Sequence, residues 1–293
     1  MEKIGSPNMG LKTYITRGLK YIRYGAPNEV PSTQYITANI IVSSPDNRLK
    51  GKNILITGGG RGLGYAFAKR CVDEGASVII TGRNEDTLKN ACLNLGRNSH
   101  YLVSDIKDVS NIKALFIKAQ DLLSGQKIDC LISNAGISLH EGNFRNVTEE
   151  DWDRQMDTNL KGNYFVVSEF VKYLESFDDK SGNIVVITSE RGKRPDDIPY
   201  GLTKVATSSF VQAIASKVIN EGIRINAVGP GVTASDMTGF QQDGNLYAEW
   251  QPEKRVFVPD EITEVVLFLL CDVSSCINGE IITCNRGKHI SHW

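Results

Sequence analysis

A single doubly wound α/β domain, a mostly parallel sheet with helices on both faces, is the fold this sequence predicts. Three observations predict it. Apolar runs of strand length recur along most of the chain, amphipathic stretches of helix length separate them, and a glycine-rich turn follows the first run. Strands buried on both faces read as near-continuous apolar runs, and crossover helices between them imply parallel neighbours. A chain of 293 residues is long enough for one such domain with a large core.

Taken in order, residues 53–57 (NILIT) predict the first strand, and after the glycine turn a helix runs to Glu74. Residues 77–81 (SVIIT) form the second strand, 85–95 a helix, 101–103 a short strand and 112–123 a helix. Residues 129–133 (DCLIS) form the next strand, and 149–175 is mostly helical. Strands at 183–188 (NIVVIT) and 224–228 (RINAV) flank a helix over 200–220. A helix over 259–271 and a last strand at 280–283 complete a catalytic domain spanning 51–293, with 233–258 as its lid. The lid offers Met237, Phe240, Tyr247 and Trp250 as apolar contacts.

Composition excludes more than it identifies. A formal net charge of -1 provides no field to attract nucleic acid, and no apolar run reaches the length of a membrane span. Six cysteines (71, 92, 130, 271, 276, 284) make no CxxC pair, and His100, His140, His289 and His292 form no ligand cluster. Reduced thiols, no metal site and no secretory signal imply a cytoplasmic enzyme. Residues 1–50 differ: seven Lys/Arg against three acids make this arm basic. Leu11, Tyr14, Ile15, Leu19 and Ile22 fall near helical spacing, with Lys12, Arg17, Lys20 and Arg23 largely elsewhere on the wheel, and 37–42 (TANIIV) reads as a short strand. The arm's partner is a neighbouring subunit, another protein or an anionic membrane surface, with packing in a homo-dimer or homo-tetramer as the default.

The turn Thr57-Gly58-Gly59-Gly60-Arg61-Gly62-Leu63-Gly64 joins the first strand to its helix. Backbone N–H groups at a helix start hold phosphate, and glycines permit the tight turn and close approach that a dinucleotide needs. The second strand ends Thr81-Gly82-Arg83-Asn84, with no acid at 82 to hold the adenosine ribose of NAD. Arg83, with Arg61, suits the 2′-phosphate of NADP(H), while Glu85 and Asp86 keep NAD(H) open.

Tyr200 and Lys204 lie four residues apart at the start of a helix, so phenol and ammonium share one face. A nearby cation favours phenolate and brings the group into acid–base range. Ser189 ends the preceding strand, Asn134-Ala135-Gly136 follows another, and Asn159 lies in the long helix, where a buried amide needs partners.

Together these motifs resemble the short-chain dehydrogenase/reductase family, whose sheet is Rossmann-type, over residues 50–287. They are Thr-Gly-x3-Gly-x-Gly at 57–64, Asn-Ala-Gly at 134–136 and the set Asn159, Ser189, Tyr200, Lys204, with Asp105-Ile106 and Pro230-Gly231 after strands. The resemblance implies an oxidoreductase that interconverts a small-molecule ketone and a secondary alcohol by hydride transfer. Tyr200 would be the acid/base, Ser189 would polarise the carbonyl, Lys204 would hold the nicotinamide ribose with Tyr200 also against the cofactor, and Asn159 would support a water at Lys204. Gly58, Arg61, Gly62, Leu63, Gly64, Arg83, Asp105 and Ile106 would hold the adenosine half. Asn134–Gly136, Pro230, Gly231 and Thr233 would border the nicotinamide half. The sequence departs from the pattern at Ser133, in a compact and charged loop 190–199 (ERGKRPDDIP), and at Asn285-Arg286-Gly287. Arg191, Lys193 and Arg194 in that loop are candidate contacts for an anionic substrate, or a solvated surface. Two rival classes are a sugar-nucleotide epimerase or dehydratase, opposed by the glycine spacing, and a dinucleotide-binding scaffold, opposed by the complete tetrad.

Overall fold

The structure is a computed structural model that describes residues 35–38 and 46–290. The helical pattern over 11–23 lies outside them, as does most of the strand expected at 37–42. Seven strands form one parallel sheet: β1 (Asn53–Thr57), β2 (Ser77–Gly82), β3 (Ser99–Val103), β4 (Cys130–Ser133), β5 (Gly182–Ile187), β6 (Ile223–Pro230) and β7 (Ile281–Cys284). Their spatial order is β3-β2-β1-β4-β5-β6-β7. The chain therefore reverses its direction of travel between β1 and β4, where an open parallel sheet leaves a crevice at its C-terminal strand ends.

Among the described residues seven α-helices connect and cover the strands: α1 (Gly62–Asp73), α2 (Glu85–Leu95), α3 (Ile112–Leu122), α4 (Glu149–Gln155), α5 (Asn163–Glu175), α6 (Pro199–Val218) and α7 (Pro259–Leu270). Side chains alternate across a strand, so each strand supplies both faces. Ile54, Ile56, Val78 and Ile80 pack with Phe67, Leu88 and Val266 from α1, α2 and α7. Leu55, Ile79, Leu131 and Val186 pack with Phe116, Val166, Phe170 and Val211 from α3, α5 and α6. Full burial of each such side chain stabilises the fold by about 1.5–3 kcal/mol. Among the described residues no helix is long and apolar enough to cross a membrane.

One predicted element is divided. The helix expected over 149–175 is α4 and α5 separated by a π-helical segment, Met156–Gly162. Such widened turns relieve the i→i−4 ladder where a side chain must be aimed. The excursion between β6 and α7 has its own interior of Ala234, Leu246, Ala248, Val256 and Val258, with Phe240 against it. Met237 and Trp250, expected as apolar contacts there, are exposed.

Candidate active site

At the end of β1 the chain turns through Gly58 and Gly62, both in the left-handed region (φ +66° and +55°). A Cβ on Gly64 would overlap the carbonyl oxygen of Gly58, so α1 starts against the turn's own backbone. The cap residue Arg61 makes no side-chain cap bond, and the first turn of α1 holds no acid. Its N–H groups therefore face the crevice without an internal anion, which suits a pyrophosphate. Thr57 Oγ1 accepts hydrogen bonds from the N–H groups of Asn134 (2.9 Å) and Ala135 (3.0 Å). Asn134 Nδ2 donates back to the carbonyls of Thr57 (3.0 Å) and Gly58 (3.2 Å). These bonds join the exits of β1 and β4 into one rigid floor.

The π-helical segment explains how the predicted Asn159 reaches that floor. Its Oδ1 accepts from Ile137 N–H and its Nδ2 donates to Ile137 C=O, each at 2.8 Å, so the buried amide is satisfied by the backbone following Gly136. Asn163, four residues on, was not singled out from the sequence. Its Nδ2 donates to Ala135 C=O (2.9 Å) and its Oδ1 accepts from Ser133 Oγ (2.6 Å). An Asn at i+4 from Asn159 within an apolar helix was the available signal. Ser133 thus has a defined partner where the family pattern has another residue. Gly162 lets this segment meet Ile106, since a Cβ there would lie 2.7 Å from the Ile106 carbonyl oxygen.

Ser189 follows β5, and its backbone is held by Gly192 N–H (2.9 Å). Its Oγ accepts from Arg191 N–H (3.2 Å), and the Tyr200 hydroxyl is hydrogen-bonded to it. The bond favours the phenolate form of Tyr200, so the Ser189 O–H is its donor. Tyr200 is the second residue of α6, which opens with Pro199, and Lys204 lies one turn further. Lys204 Nζ donates to Ile187 C=O (3.1 Å) and lies 5.6 Å from the centroid of the Tyr200 ring. It also faces Gly136, where an added Cβ would stand 3.7 Å from Nζ. All four tetrad residues thus converge on the C-terminal ends of β4 and β5. The expected lowering of the phenol is not what the protein's own groups produce. Burial pushes Tyr200 up, opposed by the Ser189 hydrogen bond and the Arg191 charge. Burial lowers the Lys204 ammonium to about 8.

Toward the adenosine end, Arg83 is exposed directly before the cap of α2, where Asn84 Oδ1 accepts from Thr87 N–H (2.8 Å). Asp105 follows β3 and its carboxylate accepts from Lys107 N–H (3.0 Å). Arg61 lies 3.5 Å from Asp236 of the 233–258 segment, with both side chains largely exposed. Pro230 ends β6, Gly231 N–H donates to Cys284 C=O (2.8 Å), and Thr233 Oγ1 donates to Gly231 C=O (2.9 Å). A cleft of about 500 Å³ runs beside Gly62, Tyr65 and Ala66, bounded across by Ala234, Ser235, Asp236 and Phe240. One candidate contact is reassigned: Arg191 is paired with the almost fully buried Asp196, whereas Lys193 and Arg194 stay exposed. Among the described residues no group of His, Cys, Asp and Glu could hold a metal ion.

The cradle of left-handed glycines, the uncapped α1 start and the hydroxyl pair beside a buried lysine fit a nicotinamide dinucleotide and define a dinucleotide-dependent oxidoreductase. The chain belongs to the short chain dehydrogenase family, whose model matches residues 52–245. It is 34% identical over 246 residues to the 3-oxoacyl-[acyl-carrier-protein] reductase of Chlamydia muridarum, covering 82% of this chain and 98% of that protein. It is 31% identical over 258 residues to elsinochrome reductase 1 of Elsinoe fawcettii, covering 80% of this chain and 94% of that one. Among solved structures it resembles the 3-ketoacyl-(acyl-carrier-protein) reductase of Brucella melitensis complexed with NADH (TM-score 0.75, 25% identity, 82% of this chain and 99% of that chain). Levodione reductase is similarly related (TM-score 0.75, 26% identity, 83% and 99%).

Proposed function

We propose that the protein is an NADP(H)-dependent reductase that converts a ketone to a secondary alcohol, and the reverse, with Tyr200 as acid/base. The observation that carries this reading is the hydrogen bond between the Tyr200 and Ser189 hydroxyls beside buried Lys204. When bound, the nicotinamide supplies the hydride. Ser189 O–H donates to the substrate carbonyl oxygen and draws charge toward it. Tyr200 gives its proton to the same oxygen as it becomes an alcohol, and Lys204, held by Ile187, stabilises the phenolate left behind. Lys204 also has donors to spare for the nicotinamide ribose, and Asn159 holds the backbone after Gly136 in place. Thr233, Pro230 and Gly231 border the carboxamide, while Asp105 and Ile106 border the adenine. Residues 51–293 are the catalytic unit, and 233–258 covers the cleft.

The first ketone to test is a 3-oxoacyl thioester, because several relatives are named for reducing that group on an acyl carrier. Loss of NADPH absorbance with acetoacetyl-CoA, or with another ketone of a panel including steroids, sugars and quinones, is the expected result. A pure protein inert to all of them would remove the reading. Arg83 supports NADP(H): with no acid at 82, an exposed guanidinium just before α2 suits a 2′-phosphate. Arg83→Glu is expected to weaken NADPH binding by about 100-fold and NADH binding by less than about threefold, from the loss of a charged hydrogen bond and added repulsion. Equal losses in fluorescence titrations would reject the cofactor assignment.

The expected homo-oligomer has a surface to use. Trp152, Tyr164, Leu202 and Val205 on α4, α5 and α6 are exposed, beside a groove of about 370 Å³ lined by Met156, Leu160 and Phe210. A monomeric mass by light scattering would remove this part of the reading.

A further inference from the structure

The two stretches where the sequence departs most from the family pattern, loop 190–199 and Asn285-Arg286-Gly287, meet in the fold. Glu190, directly after Ser189, is buried, and its Oε2 accepts a hydrogen bond from Asn285 Nδ2 (3.1 Å). Lys288 Nζ lies 3.5 Å from the other oxygen of the same carboxylate. The same ammonium donates to Gln251 Oε1 (3.1 Å) and sits 4.9 Å from the centroid of the Trp250 ring. Gln251 and Trp250 belong to the segment over the cleft, so one side chain spans the serine loop and that segment. A second tie runs parallel to it: Arg286 Nη1 lies 2.8 Å from Glu253 Oε1. His289 Nδ1 shares a hydrogen bond with Asn285 Oδ1 (2.8 Å), which fixes the amide so that its Nδ2 faces Glu190.

A buried carboxylate beside the serine needs a cation, and this one receives it from the chain's last described turn. The ammonium in turn loses rotamer freedom to three partners on two other segments, an arrangement that solvation of a surface lysine does not explain. We propose that Lys288 is a positioning residue that latches the cleft-covering segment 233–258 to the loop carrying Ser189, so that the serine hydroxyl is aimed only while that segment is seated. This rests on the assignment of Ser189 and Tyr200 to ketone reduction. Lys288's own contacts lie beside Ser189, whereas the glycine turn meets the other end of the segment through Arg61 and Asp236, so loss of the latch falls first on substrate and not on cofactor.

The test uses full-length Lys288→Met, Lys288→Arg and Glu190→Gln proteins, with Tyr200→Phe alongside. Two measurements are made on each. Tryptic cleavage after Lys254, followed by mass spectrometry, reads the seating of the segment without any turnover. Lys288→Met is expected to speed it about fivefold or more, as opening of a locally weakened unit becomes more frequent. Steady-state kinetics with NADPH and acetoacetyl-CoA, or the most active ketone of the panel, read the serine. Lys288→Met and Glu190→Gln are expected to lower kcat about tenfold and raise the ketone KM, with NADPH affinity unchanged within about twofold. Lys288→Arg keeps the charge and restores both readouts to within about threefold. Faster cleavage with unchanged kcat overturns the link to the serine. Unchanged cleavage overturns the latch, and so does a parallel decline of kcat, NADPH affinity and melting temperature that Arg does not rescue. Turnover surviving in Tyr200→Phe overturns the underlying assignment instead, whatever the Lys288 variants do.

Discussion

Tyr200→Phe is expected to cut ketone reduction by about 10²–10⁴-fold, the range that a positioned acid/base supplies. NADPH affinity should stay within about twofold, because the phenol is bonded to Ser189 and not to any part of the glycine turn. The lost hydroxyl bond should cost about 1 kcal/mol of stability, so the protein remains folded and the kinetic loss is chemical. Pre-steady-state hydride transfer, read as NADPH fluorescence decay, checks this, and an unchanged rate would favour the scaffold class. The pH profile of the same pair carries a sign. Burial holds the Lys204 ammonium at about 8, below its unfolded value, so the charge that supports phenolate and ribose fades as pH rises through that point. NADPH binding should weaken across the same interval. Lys204's own contribution to stability moves the other way, since the unfolded chain binds more protons there than the folded one does. Weaker binding at a steady melting temperature therefore assigns the loss to this amine and not to alkaline unfolding.

The parts of this site that could be read from the sequence are those whose chemistry is local. Glycines at 58, 62 and 64 between an apolar run and an amphipathic stretch dictate a turn and a helix start, and the structure has both. Tyr200 and Lys204 share a face because α6 is continuous through them. What could not be read depends on tertiary contact. Nothing in the sequence 149–175 announces a π-helical segment, because the widened turn is stabilised by bonds from Asn159 and Asn163 to the exit of β4. Arg191 reads as a loop cation until Asp196 is found buried beside it. Glu74 is a similar case, an ordinary acid near a helix end in sequence. In the fold it is a buried carboxylate held by Arg70 one turn before it (3.1 Å) and by the distant Arg48 (2.6 Å), and the second contact exists only when α1 packs. The direction of the Tyr200 shift belongs to the same group. A lysine one turn away argues for a lowered phenol, but the depth of burial that opposes it is a property of the assembled sheet end.

A second large effect is expected at Gly64, and it separates steric need from mere presence in a glycine-rich turn. An Ala side chain there would overlap the Gly58 carbonyl oxygen and lie 2.6 Å from Asn134 Nδ2. The first obstacle is backbone, which cannot rotate aside, so the turn itself must open. Opening it breaks the Asn134 bond to Gly58 and moves the N–H groups at the start of α1 away from the pyrophosphate position. Gly64→Ala should therefore weaken NADPH binding about 100-fold or more, with an overpacking cost of about 1–3 kcal/mol that lowers the melting temperature by several degrees. Gly60 stands in the same turn, but its tight neighbours are side-chain ends: an added Cβ lies 3.1 Å from Thr87 Cγ2 and 3.3 Å from Leu88 Cδ2, with the nearest backbone atom, Leu88 N, at an ordinary 3.9 Å, and its φ is not left-handed. Both neighbours can give by a few tenths of an ångström, so Gly60→Ala should hold NADPH affinity within about threefold, at a cost of at most about 1 kcal/mol. Titration of the two variants decides the matter: equal losses would mean that the turn binds the dinucleotide through its flexibility, and an unaffected Gly64→Ala would mean that α1 does not deliver the phosphate site.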